Sequence, residues 1–339
     1  MESNDGDECA RVPARSDSLP ILSALFYRRD VGGFCQRIGI PFAFLEKLYG
    51  GPTMLMNMRD LLAVAHENNF AVPAFNVSSN MLLKGAIEAS EEKRAPVIVA
   101  IHPDELSFIR PSFVKTVIEE AINATVPVCI HLDHGSSMGQ IMEAVRCGFT
   151  SVMIDASAYP LEQNIEMSKR VVDLAHSVNV SVEGELGTIG TTGPEAEAGS
   201  EEIIYVNPDD VVTFVEATCV DTLAVAIGTS HGIYPKDKKP ELRLDLLKEI
   251  TSKVDLPLVL HGGSANPEEE IAAAVKLGIN KINISSDIKD AFYQKCREVL
   301  SNPVIREPYS IYPPCIEAMK QVCYHKFALF DTEGKAELY

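Results

Sequence analysis

Beyond residue 58 the chain alternates short, wholly apolar runs with amphipathic segments of helical period, and few architectures accept that rhythm. The apolar runs are AVPAFNV (71–77), PVIVAI (96–101), VPVCIHLDH (126–134), SVMIDAS (151–157), SVEGELG (181–187), TLAVAIGTSHG (222–232), LPLVLHGGS (256–264) and KINISSD (281–287). Between them NMLLKGAIEASEEK, PSFVKTVIEEAIN, SMGQIMEAVRCG, LEQNIEMSKRVVDLAHSV and PEEEIAAAVKLG read as helices. PEEE sets proline and acids in a first turn, where a helix start favours them. Strands buried on both faces and alternating with helices belong to a parallel sheet. Eight repeats in roughly 230 residues predict an α/β fold of the closed (β/α)8 barrel type, which usually needs about 250. An extra helix precedes the first strand, and a helical segment follows the last. The alternative, a doubly wound open sheet, would carry G-x-G-x-x-G after its first strand, and the sequence has none there.

Residues 1–53 lack that pattern and read as an extension ahead of a barrel domain spanning 54–339. They show no positively charged start leading into an apolar core, so they do not read as a signal peptide. Either translation begins at Met54 or Met56, with Gly50-Gly51 encoded by ribosome-binding sequence, or the segment is a loosely attached arm. The formal charge of -18 argues against nucleic acid or an anionic membrane as partner. No apolar run approaches the roughly 20 residues a membrane helix needs. Eight scattered cysteines without a C-x-x-C pair read as reduced thiols in a cytoplasmic protein.

In such barrels the chemistry sits at the C-terminal ends of the strands. Here those ends carry Asn76, Asp133-His134, Asp155, Glu183 with Glu185, His231, His261 and Asn283. His134, His231 and His261 come from strands three, six and seven, and three imidazoles with one open position are what a catalytic Zn2+ requires. Co2+ and Fe2+ fit the same ligands. Glu183 and Glu185 are candidates for fixing the imidazole tautomers from behind. Asp133, beside the metal rather than on it, is placed to exchange a proton with a substrate hydroxyl. His131 shares its parity along the strand and is read as structural.

HGGSANPEEE follows strand seven and NKINISSDIKDAF runs from strand eight into a helix. Gly262 and Gly263 allow close backbone approach, Ser264 adds a hydroxyl, and Asn283-Ile284-Ser285-Ser286 opens a helix whose free N–H groups favour an anion. Loops after strands seven and eight commonly hold phosphate in barrels.

AVPAFNV, HLDHG, IDAS, VEGELG, DTLAVAIGTSHGIY, LPLVLHGGS and KINISSD, in this order over about residues 56–330, resemble the class II, metal-dependent ketose-bisphosphate aldolases, the tagatose-bisphosphate type above all. The resemblance implies reversible cleavage of a ketose phosphate to dihydroxyacetone phosphate and an aldehyde. It makes Asp133 the catalytic proton donor and His134, His231 and His261 the zinc ligands, with a monovalent cation alongside. It assigns Gly232, Gly262 to Ser264 and Asn283 to Ser286 to dihydroxyacetone phosphate, and Asn76 to a substrate contact. A homodimer or homotetramer is expected, since C-terminal segments of this kind serve at subunit contacts.

Two stretches depart from the family pattern. Bisphosphate enzymes use an arginine just ahead of the C-terminal helix to hold the distal phosphate; YSIYPPCIEAMK has none, and Arg306 is nearest. The loop after VEGELG reads TIGTTGPEAEAGSEE, leaving Glu195 as the counterpart of the proton-shuttling carboxylate. A ketose 1-phosphate is therefore at least as good a substrate expectation as a 1,6-bisphosphate. Other readings are a metal-dependent hydrolase, which would want His-x-His where Phe75-Asn76-Val77 stands, and a non-catalytic accessory subunit, which would have lost the histidines or Asp133.

Overall fold

A computed structural model describes residues 54–192, 202–234 and 241–339. Eight parallel strands close on themselves: β1 (Val72–Asn76), β2 (Val97–Ile101), β3 (Val128–Gly135), β4 (Ser151–Ile154), β5 (Ser181–Leu186), β6 (Thr222–Val225), β7 (Leu258–Leu260) and β8 (Ile279–Ile284). Neighbours in sequence are neighbours in the sheet, and β8 pairs back onto β1 through Lys281–Val72 and Asn283–Ala74. This is the TIM barrel the alternation predicts.

Eleven α-helices accompany it among the described residues: α1 (Met58–Glu67), α2 (Asn80–Glu92), α3 (Pro103–Ile109), α4 (Ser112–Asn123), α5 (Met138–Cys147), α6 (Leu161–His176), α7 (Pro208–Thr218), α8 (Leu244–Thr251), α9 (Glu268–Lys276), α10 (Ser286–Leu300) and α11 (Pro308–Leu329). Their starts follow local chemistry: the side chains of Asn57, Ser79 and Ser137 each accept a hydrogen bond from a first-turn N–H. α5 stops at Gly148, whose φ of 98° suits a residue without Cβ.

Two apolar clusters divide the interior. The larger lies between the outward faces of the strands and the helices. The smaller joins Met58, Leu61, Leu62 and Ala65 of α1 to Val72, Ala74, Ile98, Ala100 and Cys129, so the extra N-terminal helix plugs the barrel's lower end. The upper interior is left to polar side chains.

Two expectations change. The sixth run is not one strand: it leaves the sheet after Val225, and Ser230–His231 instead pairs with Gly190–Thr191 in a two-residue ladder. Gly228 makes the break, with a φ of 121° and the Glu241 carbonyl 2.5 Å from where a Cβ would stand. YSIYPPC does not precede the C-terminal helix but forms the opening turns of α11, with Pro313 and Pro314 inside. The carbonyls they leave unbonded belong to Tyr309 and Ser310, which are exposed to water. Among the described residues Cys129, Cys147, Cys296, Cys315 and Cys323 are free thiols. Residues 1–53, read as an extension, lie outside the described residues, and among those described no helix is long and apolar enough to cross a membrane.

Candidate active site

His134 ends β3 in an uncommon backbone state for a residue with a Cβ, φ 51°, and the β3–β4 register shifts beside it. Such conformations persist where surrounding structure imposes them, typically at functional sites. The twist turns its ring toward His231 and His261, with ring centroids 4.9 and 4.6 Å away. One nitrogen from each of the three buried imidazoles falls within 4.8 Å of the others.

Hydrogen bonds fix which nitrogens face inward. His134 Nδ1 donates to Asp155 Oδ2 at 2.9 Å, and His261 Nε2 donates to Glu183 Oε1 at 2.8 Å. The remaining nitrogens, His134 Nε2 and His261 Nδ1, then confront each other at 2.9 Å. His231 Nε2 is buried with no partner. Two facing imidazole lone pairs and a third nitrogen without a donor need a cation among them, a proton or a metal ion. Without metal the proton goes to His134: burial opposes its charge, but Asp133, Asp155 and Glu185 push it up to about 10. Burial holds His231 well below the ordinary imidazole range, with the neighbouring His134 acting in the same direction. An all-nitrogen set backed by carboxylates fits a borderline-soft ion such as Zn2+.

The predicted supporting pair divides. Glu183 does meet His261, but Glu185 stays 3.8 Å from His261 Nδ1 with its Oε2 unpartnered. The second imidazole acceptor is Asp155, which the strand-end register had marked without giving it a role. His131 is buried against Ser151 and Glu183, and burial followed by the Lys281 ammonium pushes it down to about 3, so it is a neutral structural residue.

Asp133 stands beside the imidazoles, its Oδ1 4.0 Å from His134 Nε2. Asn76 Nδ2 donates to Oδ2 at 2.8 Å and Asn283 Nδ2 to Oδ1 at 2.9 Å. Burial works against its charge, yet His134, then His261 and Lys281, hold the carboxyl well below its usual range. Both amide oxygens, Asn76 Oδ1 and Asn283 Oδ1, are buried without partners.

A cleft opens from Asp133 and His231 past Gly232, Gly262 and Ser264 to Ser285 and Ser286. Ser286 begins α10, whose N-cap Ser285 makes no capping bond and keeps its hydroxyl buried and unpartnered. Asp287 N bonds Ser264 Oγ at 3.4 Å, tying the β7 loop to this helix start. Two predicted cradle residues sit elsewhere. Ile284 is wholly buried in the outer core, and the Gly263 N–H is already given to Asn283 O at 3.0 Å. Gly263 is needed for packing, because a Cβ there would meet Ile282 at 2.4 Å. Glu195 lies outside the described residues, and Arg306 is exposed between α10 and α11.

Comparison with known proteins gives a consistent picture. The class-II fructose-bisphosphate aldolase family profile matches residues 56–335. Fructose-bisphosphate aldolases of Staphylococcus epidermidis (strain ATCC 35984) and Staphylococcus aureus (strain Mu50) are each 38% identical over 288 residues, 84% of this chain and 99% of theirs. The YdjI aldolase of Escherichia coli K12 superposes with a TM-score of 0.72 at 33% identity, over 83% of this chain and 99% of that one. A candidate fructose-1,6-bisphosphate aldolase from Coccidioides immitis gives 0.76 at 26% identity, over 84% and 99%.

Proposed function

Because this chain belongs to the class II fructose-bisphosphate aldolase family, and is thereby a lyase of carbon–carbon bonds, we propose that it works as a metal-dependent aldolase. It cleaves a ketose 1-phosphate or ketose 1,6-bisphosphate reversibly to dihydroxyacetone phosphate and an aldehyde. The observation that carries the metal reading is the confrontation of His134 Nε2 with His261 Nδ1 beside the unpartnered His231 Nε2.

His134, His231 and His261 would hold the ion, Zn2+ or in its place Co2+ or Fe2+. When bound, it supplies a Lewis acid that polarises the substrate ketone. Asp133, kept ionised and aimed by Asn76 and Asn283, takes the hydroxyl proton during cleavage and returns it to the aldehyde oxygen during synthesis. Ser264, Ser285, Ser286 and the first amides of α10 receive the 1-phosphate, and Gly232 and Gly262 leave room for it. Glu195 is the carboxylate proposed to exchange the proton on dihydroxyacetone phosphate. On the family resemblance the enzyme is cytoplasmic, a homodimer or homotetramer, and takes a monovalent cation near the phosphate.

The stretch YSIYPPCIEAMK carries no arginine, which supports turnover of substrates lacking a distal phosphate. Paired ketose 1-phosphates and 1,6-bisphosphates, assayed for dihydroxyacetone phosphate release, test this. The expected kcat/KM values for each pair lie within about tenfold; a preference of several hundredfold for the bisphosphates would reject the broader substrate range.

A further inference from the structure

Barrel interiors are normally filled by branched apolar side chains. Here a lysine lies in the middle of the lumen. Lys281 is central in β8 and wholly buried, and its Nζ stands 2.9 Å from Glu183 Oε2 and donates to Glu183 Oε1 at 3.1 Å. β8 and β5 are not neighbours, since β6 and β7 separate them in the sheet, so this ion pair crosses the barrel. Both side chains are withdrawn from water, a costly arrangement that well-packed apolar residues commonly match or exceed in stability. The pair therefore calls for a reason other than stability.

Glu183 has two imidazoles within reach. Its Oε1 accepts from His261 Nε2 at 2.8 Å, while His131 Nε2 lies 3.6 Å from its Oε2. The ammonium straddles the carboxylate and keeps Oε1 on His261. We propose that Lys281 is a positioning residue for metal binding, acting through Glu183 to hold the His261 ring with Nδ1 turned toward His134. Removing Lys281 frees Glu183 to swing toward His131 and leaves the His261 ring without its fixed acceptor. This inference rests on the metal reading of the three histidines.

The test measures Zn2+ affinity of the full chain by competition with a chromophoric chelator, with thermal melting of the metal-free protein in parallel. Lys281→Met is expected to weaken Zn2+ binding by roughly 10- to 100-fold, the usual effect of losing a residue that orients a ligand. Because that variant leaves Glu183 buried without its cation and can fail to fold, Lys281→Met/Glu183→Gln is measured too. The double variant removes both charges, so it should melt near the wild type yet keep the weakened affinity. A folded variant that binds Zn2+ as tightly as the wild type overturns the role of Lys281 alone. Wild-type protein that takes up no Zn2+ overturns the metal reading and this inference together.

Discussion

His134 Nε2 and His261 Nδ1 face each other at 2.9 Å, each ring's other nitrogen already held by a carboxylate. Metal uptake should therefore stabilise the fold strongly, because it relieves an arrangement that only a cation satisfies. At free Zn2+ a thousandfold above Kd the gain should be about 4 kcal/mol, read as a rise in the denaturant midpoint over chelated protein. His231→Ala, which removes the nitrogen without a partner, should abolish most of that rise and leave the chelated protein unchanged within about 1 kcal/mol.

Without metal the stability should fall as the solution is made alkaline. Burial opposes a charge on His134, but Asp133 and its neighbouring carboxylates raise its folded pKa from 6.5 to about 10. A raised folded pKa contributes stability that is complete below the unfolded value and is lost as pH climbs through the folded one. Chelated protein should thus lose stability between about pH 6.5 and 10, whereas Zn2+-loaded protein, whose His134 is neutral with its proton on Nδ1 alone, should lack this component. Urea melts of both forms across that range check the sign.

Asp133→Asn should lower kcat for cleavage by about 10²- to 10⁴-fold, the usual weight of a placed acid–base group, while bound Zn2+ remains stoichiometric. Retention of the full rate would remove Asp133 from the reaction. Ser285→Ala, which deletes a buried hydroxyl without a partner, should raise KM for the 1-phosphate several-fold and leave the melting temperature in place.

Gly262→Ala should destabilise the fold by about 1–3 kcal/mol, because φ is 61° and the new Cβ would stand 2.6 Å from the Ser230 carbonyl oxygen. The same clash pushes the β7 loop away from His231, so Zn2+ affinity should drop alongside stability in urea titrations and metal competition.

The barrel was legible because its strands are apolar on both faces and its helices keep a 3.6-residue period, so the alternation prescribes a parallel sheet and the eight repeats its closure. His134, His231, His261 and Asp133 were legible because polar residues at the ends of buried strands need partners, and the barrel rule brings those ends together. What stayed hidden depends on register and rotation. Asp155 replaces Glu185 as an imidazole acceptor because the β3–β4 shift places it beside His134, a displacement no spacing records. Lys281 read as an ordinary member of KINISSD, although a lone lysine in a buried strand was a usable signal. Gly263 and Ile284 belong to segments that line the cleft, but alternation along the chain turns them toward the core.

The central claim is tested most directly by release of dihydroxyacetone phosphate from a ketose 1-phosphate before chelation, after chelation, and after Zn2+ is restored. The account predicts that chelation removes at least nine-tenths of the rate and that one equivalent of Zn2+ per chain returns it. Turnover that continues undiminished in metal-free protein would contradict it.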